Sequence, residues 1–120
     1  MEGVRTNLSE RRAAYVEKLD VAVRTVVDTL SRVPGVQRIS LFGSYARGRR
    51  DLGTDLDVLV VWETDRSFVG RLRFLYSLVQ VSVDLDMLCY TPAELEALRD
   101  GPFFRRVVGE EIVLYEKKSA

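Results

Sequence analysis

The sequence contains no histidine and only one cysteine, Cys89. Without histidine, the chain cannot use Ser-His or Cys-His pairs for nucleophilic catalysis, and it has no imidazole to bind a metal ion. A single cysteine cannot form an internal disulfide, so we expect a reducing compartment. Any catalysis near neutral pH must therefore depend on carboxylates, hydroxyls, cationic side chains or a bound metal.

The sequence also lacks an excess of either charge and any long apolar run. Its 18 basic and 18 acidic side chains balance, so no overall field attracts it to nucleic acid or to an anionic membrane. The apolar runs are too short to cross a bilayer, and the N-terminus does not have the charged-then-apolar order of a signal peptide. We therefore expect a cytoplasmic protein with no membrane partner, and a nucleic-acid template is not expected.

The apolar residues recur in a pattern that predicts helices and strands in alternation. With 120 residues and no linker or repeat, a single domain over residues 1–120 is predicted. The predicted elements are a helix from about Ser9 that Pro34-Gly35 stops, strands at 36–42, 56–62 and 81–89, a short helix or loop at 46–53, a helix at 68–79, a capped helix starting at Thr91-Pro92, a further turn at 103–108 and an edge strand at 112–115. This order indicates an α/β (α+β) fold with helices flanking a small mixed β-sheet.

A first candidate site is the segment Gly43-Ser44-Tyr45-Ala46-Arg47-Gly48, which follows an apolar strand. Glycine lets the backbone turn sharply there, and the N–H groups that open a following helix can bind phosphate, with the Ser44 hydroxyl as a further donor. Arg47 could contact phosphate or form a structural ion pair instead. Taken alone, a Gly-Ser pair is more commonly an ordinary turn in which the serine caps the helix.

A second candidate site is Asp55-Leu56-Asp57, at the start of an apolar strand. Side chains two residues apart on a strand point to the same face, so both carboxylates can converge on divalent cations. Oxygen ligands without histidine or cysteine favour Mg²⁺ or Mn²⁺ over Zn²⁺. The alternative is a pair of exposed acids at a strand entrance.

Asp84 and Asp86 repeat this spacing on another predicted strand, whose opposite face is apolar. Four aspartates on two strands would repel one another unless they are well separated or a cation compensates their charge. The alternative is a solvated sheet face along which like charges are spread.

Taken together, these segments resemble the minimal nucleotidyltransferases of the DNA polymerase β superfamily. The family pattern is a Gly-Ser-x-Ala-Arg-Gly turn followed by Asp-x-Asp before an apolar strand, as in residues 43–48 and 55–57. Thr54 stands where the family usually has serine, and it keeps the hydroxyl. Residues 86–94 resemble the family segment in which the third catalytic aspartate leads into Tyr-Thr-Pro-x-Glu. The resemblance extends over about residues 12–116.

The resemblance implies a polymerase β palm-like fold and a role for each matched residue. The residues that would bind the nucleotide are Gly43, Ser44 and Arg47. The residues that would be both catalytic and metal-binding are Asp55, Asp57 and Asp86, with Asp84 as the alternative third carboxylate. The implied cofactor is Mg²⁺ or Mn²⁺, and the implied substrate is an NTP, with ATP expected.

The expected activity is the transfer of a nucleoside monophosphate, AMP, from the NTP to an acceptor hydroxyl. We expect no second domain for an acceptor, so the chain resembles the stand-alone bacterial and archaeal members of the family. Those are often paired with an all-helical HEPN protein in toxin–antitoxin modules, and we expect such a partner. The alternative is a catalytically silent nucleotide-binding module that docks to a partner. A homo-oligomer stays open, because core packing explains the Val- and Leu-rich faces equally well.

Overall fold

The computed structural model describes residues 7–117, which form a four-stranded sheet flanked by helices. The elements in chain order are α1 (Leu8–Leu30), β1 (Val36–Phe42), α2 (Gly43–Ala46), β2 (Leu56–Trp62), α3 (Phe68–Leu78), β3 (Leu85–Tyr90), α4 (Pro92–Leu98), α5 (Pro102–Glu110) and β4 (Ile112–Glu116). The predicted α/β class, with helices against a small mixed sheet, is confirmed. Within residues 7–117, no helix is long and apolar enough to cross a membrane.

The sheet has the strand order β3-β2-β1-β4 and mixes both kinds of pairing. Strand β1 is antiparallel to β2 and β4, whereas β2 is parallel to β3. Every residue of β2 is buried except Asp57, which is half-buried. This burial agrees with the nearly continuous apolar sequence of β2, because a central strand is covered on both faces. Strand β4 lies at the edge, where Ile112 and Val113 are exposed.

Helix α1 covers one face of the sheet together with α3. Its buried residues recur at helical spacing and pack in the main core, and they are Leu19, Ala22, Val26 and Leu30. Full burial of a leucine or valine side chain contributes roughly 1.5–3 kcal/mol. The helix begins where the Asn7 side chain accepts a hydrogen bond from the Glu10 N–H at 2.7 Å. It begins one residue before the predicted start at about Ser9, and it ends at Leu30, before the predicted stop at Pro34-Gly35.

The opposite face of the sheet carries a smaller apolar cluster beneath α4 and α5. Its buried members are Leu59, Phe104 and Val107. Asp57 lies on the same face as Leu59, since the two residues are separated by two positions on β2. Helix α4 starts with the predicted capping box, in which Thr91 and Glu94 exchange backbone-to-side-chain hydrogen bonds of 2.9 and 3.2 Å. Asp57, near the start of β2, therefore lies on the same sheet face as the cluster beneath α4 and α5.

One predicted strand boundary is wrong. Strand β3 begins at Leu85 and not at residue 81, because its partner β2 begins at Leu56, which pairs with Leu85. Of the two alternatives predicted for residues 46–53, a short helix or a loop, the structure shows a loop, which follows the short helix Gly43–Ala46. In that loop, Asp51 accepts a hydrogen bond from the Gly53 N–H at 2.8 Å, an arrangement that favours a turn over a helix.

Candidate active site

The Gly43 turn connects β1 directly to the short helix α2. Gly43 is buried and has a φ angle of 77°, in the left-handed region that favours glycine. A Cβ atom at this position would lie 2.9 Å from Cγ of Asp57. Ser44 lies inside α2, and the N-cap residue is Phe42, so the interpretation of Ser44 as a helix cap is wrong. The glycine instead lets the β1–α2 turn approach β2 closely.

Asp57 and Asp86 occupy paired positions on the parallel strands β2 and β3. On its other side, Asp57 is paired with Phe42, the residue before the glycine turn. Burial raises the pKa of Asp57, and the negative charges of Asp86 and Asp55 raise it further. The arrangement therefore gathers three of the predicted carboxylates into one region of negative charge, beside the glycine turn.

Asp84 lies just before β3 and is exposed. Its electrostatic influence falls on Tyr15 of α1: burial raises the pKa of the Tyr15 hydroxyl, and the charges of Asp84 and Asp55 add to this effect. The same hydroxyl donates a hydrogen bond to the Thr54 carbonyl at 2.9 Å. Asp84 therefore lies toward α1, whereas Asp86 is paired with Asp57.

Thr54 supports the loop that leads into Asp55. Its side chain is fully buried, and its hydroxyl accepts a hydrogen bond from the Asp51 N–H at 3.0 Å. The threonine that replaces the usual serine thus uses its hydroxyl within the loop, and with Tyr15 it fixes the entrance to β2.

Glu110, at the end of α5, binds two groups of the glycine turn that the sequence predicts to contact phosphate. Its Oε1 accepts a hydrogen bond from the Gly43 N–H at 3.1 Å, and its Oε2 pairs with Arg47 Nη1 at 3.1 Å. These two hydrogen bonds, with the Arg47 bond as the larger influence, hold the pKa of Glu110 below its usual range. The ion-pair alternative for Arg47 is therefore observed. No sequence signal identified Glu110, because 67 residues separate it from Gly43.

The donor chemistry of this region fits a hard divalent cation. Asp55, Asp57 and Asp86 offer only oxygen ligands, and their mutual repulsion would be relieved by a cation. Across residues 7–117, no group of three or more acidic or cysteine side chains is already arranged to hold a metal ion. Asp57 and Asp86 are thus neighbours, but the carboxylate oxygens do not already converge on one point.

A separate groove of about 1090 Å³ lies on the same sheet face, beside α4 and α5. It is lined by apolar residues, including Leu59, Val61 and Phe104, and by charged residues, including Arg38 and Glu111. None of the predicted site residues lines it. The volume of this groove therefore gives no argument about the chemistry at the aspartates.

The sheet, the glycine turn and the neighbouring aspartates define a domain of the nucleotidyltransferase class. Residues 23–118 match the nucleotidyltransferase domain family, and the chain belongs to that family. The predicted family is thereby confirmed.

Two individual proteins illustrate the similarity. A candidate protein adenylyltransferase of Methanocaldococcus jannaschii is 39% identical over 57 residues, which are 47% of this chain and 61% of that protein. The match thus spans less than two thirds of that relative. A candidate nucleotidyltransferase of known structure from Sulfolobus solfataricus has a TM-score of 0.56 and 16% identity, covering 94% of this chain and 90% of the other. At that identity, the likeness shows the fold alone.

Proposed function

We propose that this protein transfers AMP from ATP to an acceptor hydroxyl and releases pyrophosphate, with Mg²⁺ as cofactor. The observation that carries the proposal is the position of Asp57, which lies between the Gly43 turn and Asp86. A group that binds phosphate oxygens and a group that binds metal ions are the two parts that nucleotidyl transfer requires. The close packing of the Gly43 turn against Asp57 supports assigning these two roles to them.

Each part has a distinct role in the proposed reaction. The Gly43 N–H, the Ser44 hydroxyl and the Arg47 guanidinium would bind and orient the triphosphate. Asp55, Asp57 and Asp86 would hold the divalent cations, which neutralise charge on the triphosphate and on the departing pyrophosphate. Asp86, the most exposed of the three, would position the acceptor hydroxyl. No covalent enzyme intermediate is needed, which suits a chain without histidine.

We propose that the acceptor is a protein. The relative from Methanocaldococcus jannaschii is named as a protein adenylyltransferase, which supports a protein acceptor for the related residues here. The more specific proposal, a helical HEPN-type partner of a toxin–antitoxin module, depends on the sequence resemblance of the motifs at residues 43–57 and 86–94.

The experiment that tests the proposal measures transfer from NTPs labelled at the α-phosphate. The purified protein is incubated with Mg²⁺ and an extract of the source organism, and labelled products are separated into protein, RNA and small molecules. We expect a labelled protein with ATP and no product with Asp57→Asn. The matched control is Asp28→Asn, which removes an exposed carboxylate on α1 and should retain full transfer.

The catalytically silent module remains the second candidate, and one observation favours it. Glu110 already occupies the Gly43 N–H and Arg47, which the triphosphate would need. The silent module is the better description if wild type and Asp57→Asn bind ATP equally well and neither yields a labelled product, even when a purified helical partner is added. Transfer that disappears only in Asp57→Asn excludes it.

A further inference from the structure

Glu110 occupies the groups that the proposed function assigns to the triphosphate. We call these two groups, the Gly43 N–H and the Arg47 guanidinium, the phosphate seat. The two Glu110 oxygens accept one hydrogen bond from each of these groups, both at 3.1 Å. Its side chain is 17% exposed, so the carboxylate lies mostly inside the site.

The Glu110 carboxylate in this position supplies the negative charge that a bound phosphate group would otherwise supply. The Gly43 N–H has a single hydrogen, which cannot make a good hydrogen bond to Glu110 and to a phosphate oxygen at the same time. Glu110 also adds a negative charge close to Asp57, where a negatively charged triphosphate must enter. Both effects oppose nucleotide binding while Glu110 stays in place.

We propose that Glu110 competes directly with the triphosphate for the phosphate seat and thereby sets the affinity of the protein for NTP. This inference rests on the proposed function, since it assigns the same seat to the nucleotide. Glu110 is absent from the motifs that carry the family resemblance in this sequence. It contacts the Gly43 turn because the fold packs the end of α5 beside that turn. When NTP binds, the carboxylate moves away and Arg47 transfers its hydrogen bond to a phosphate oxygen.

The neighbouring residue explains how this exchange can occur without unfolding the end of α5. Only 6% of the Glu111 side chain is exposed, and its carboxylate accepts a hydrogen bond from the Ser40 hydroxyl at 2.6 Å. It also pairs with Arg38. These contacts anchor the α5–β4 junction to β1. Release of Glu110 therefore needs only rotation of its own side chain.

The test is the affinity for a non-hydrolysable ATP analogue with Mg²⁺, measured by calorimetry on wild type, Glu110→Gln and Glu110→Ala. When a site is free in only a fraction of molecules, its apparent Kd is the intrinsic Kd divided by that fraction. If Glu110 holds the seat in about 90% of molecules, its removal should lower Kd about tenfold. Glu63→Gln, which removes an exposed charge at the end of β2, should leave Kd unchanged.

Two further results decide the inference. Unchanged or weaker binding in both folded Glu110 variants, with nucleotide bound by wild type, overturns it, because Glu110 would then support the seat. If no form binds the ATP analogue, the proposed function fails, and inorganic tripolyphosphate becomes the probe for Glu110 itself. Tighter tripolyphosphate binding in the variants would support the competitor role, whereas equal or absent binding in all forms would overturn it. Thermal unfolding of each variant establishes that it is folded.

Discussion

Gly43 lies so close to Asp57 that a Cβ atom on the glycine would lie 2.9 Å from Asp57 Cγ and closer still to Oδ2. Gly43 also has a positive φ angle of 77°, which side chains with a Cβ atom rarely adopt. Two independent constraints therefore require glycine at this position. The turn predicted to bind phosphate and the carboxylate predicted to bind metal are packed against each other, so neither can change alone.

Gly43→Ala should damage both stability and transfer. The left-handed backbone would cost about 1–2 kcal/mol, and the collision with Asp57 would displace either the turn or the carboxylate. We expect a total destabilisation of about 2–4 kcal/mol, measured by urea unfolding, and loss of most of the nucleotidyl transfer.

The matched control is Gly48→Ala. Gly48 has a φ angle of 99°, but a Cβ atom there would meet nothing within 4 Å. We expect a loss of about 1–2 kcal/mol from the backbone alone, with transfer retained. Equal loss of transfer in the two variants would show that contact with Asp57 is not what makes Gly43 necessary.

The choice between Asp86 and Asp84 as the third carboxylate can be tested directly. Asp86 is paired with Asp57 across β2 and β3, whereas Asp84 lies before the strand and influences Tyr15. We expect Asp86→Asn to reduce transfer about a hundredfold or more and Asp84→Asn to change it by less than about threefold. Initial rates with saturating ATP provide the measurement. The reverse order of the two effects would assign the third position to Asp84.

Much of the fold could be predicted from the sequence because its signals are local. The bounds of β1 and β2 agree with the prediction residue for residue, since turn residues interrupt their apolar runs. The start of β3 was wrong because it depends on where its partner begins. Val81 and Val83 keep the alternating pattern and pack against the core, yet no strand residue of β2 lies opposite them. An alternating pattern indicates which side chains are buried, but a strand forms only where another strand lies beside it to accept its backbone hydrogen bonds.

The candidate site was only partly predictable for the same reason. Asp55, Asp57 and the glycine turn form a short contiguous motif, so the sequence indicates them directly. Glu110 contacts Gly43 across 67 residues of sequence, and a single charged residue on a helix has no pattern that distinguishes it. The same holds for Arg71, outside the site, which pairs with Glu94 across 23 residues. A helical interpretation of residues 102–110 would locate Glu110 at a helix end, but only the packing of α5 brings it to Gly43.

Arg71 is buried in α3, with 5% of the residue exposed, and connects that helix to α4. Its Nη1 and Nη2 donate to the two Glu94 oxygens at 2.7 and 3.1 Å, and its Nε donates to the Arg66 carbonyl at 2.9 Å. Glu94→Gln would leave this buried cation without a counter-charge. Because Glu94 is 40% exposed, water would replace part of the interaction, and we expect a destabilisation of about 1–3 kcal/mol in urea unfolding at neutral pH.

The control for this pair is Glu96→Gln, on the same helix. Glu96 pairs with Arg99 at 3.3 Å, but both side chains are more than half exposed. Removing that pair should cost no more than about 0.5 kcal/mol. A comparable loss in both variants would mean that the burial of Arg71 is unimportant to the strength of its ion pair.

The same pair should make stability depend on pH. Hydrogen bonds from Arg71 and then from the Thr91 N–H hold the pKa of Glu94 below its usual range. A carboxyl whose folded pKa is lowered adds stability above its unfolded pKa, and that stability is lost as the pH falls through the folded pKa. The difference in unfolding free energy between wild type and Glu94→Gln should therefore shrink steadily in acid. A difference that stays constant from neutral pH to about pH 3 would contradict this linkage.

Cys89 should be chemically inert in the folded protein. It is fully buried in β3, and burial raises the pKa of its thiol to about 12, so almost no thiolate forms near neutral pH. Because it is the only cysteine in the chain, labelling with a thiol reagent reports on this one site. We expect negligible labelling of the native protein and one equivalent of rapid labelling in denaturant. Rapid labelling without denaturant would show that β3 separates from β2 far more readily than the full burial of Cys89 implies. If instead the labelling rate rises with urea in parallel with global unfolding, then the strand that carries Asp86 opens only when the whole domain does.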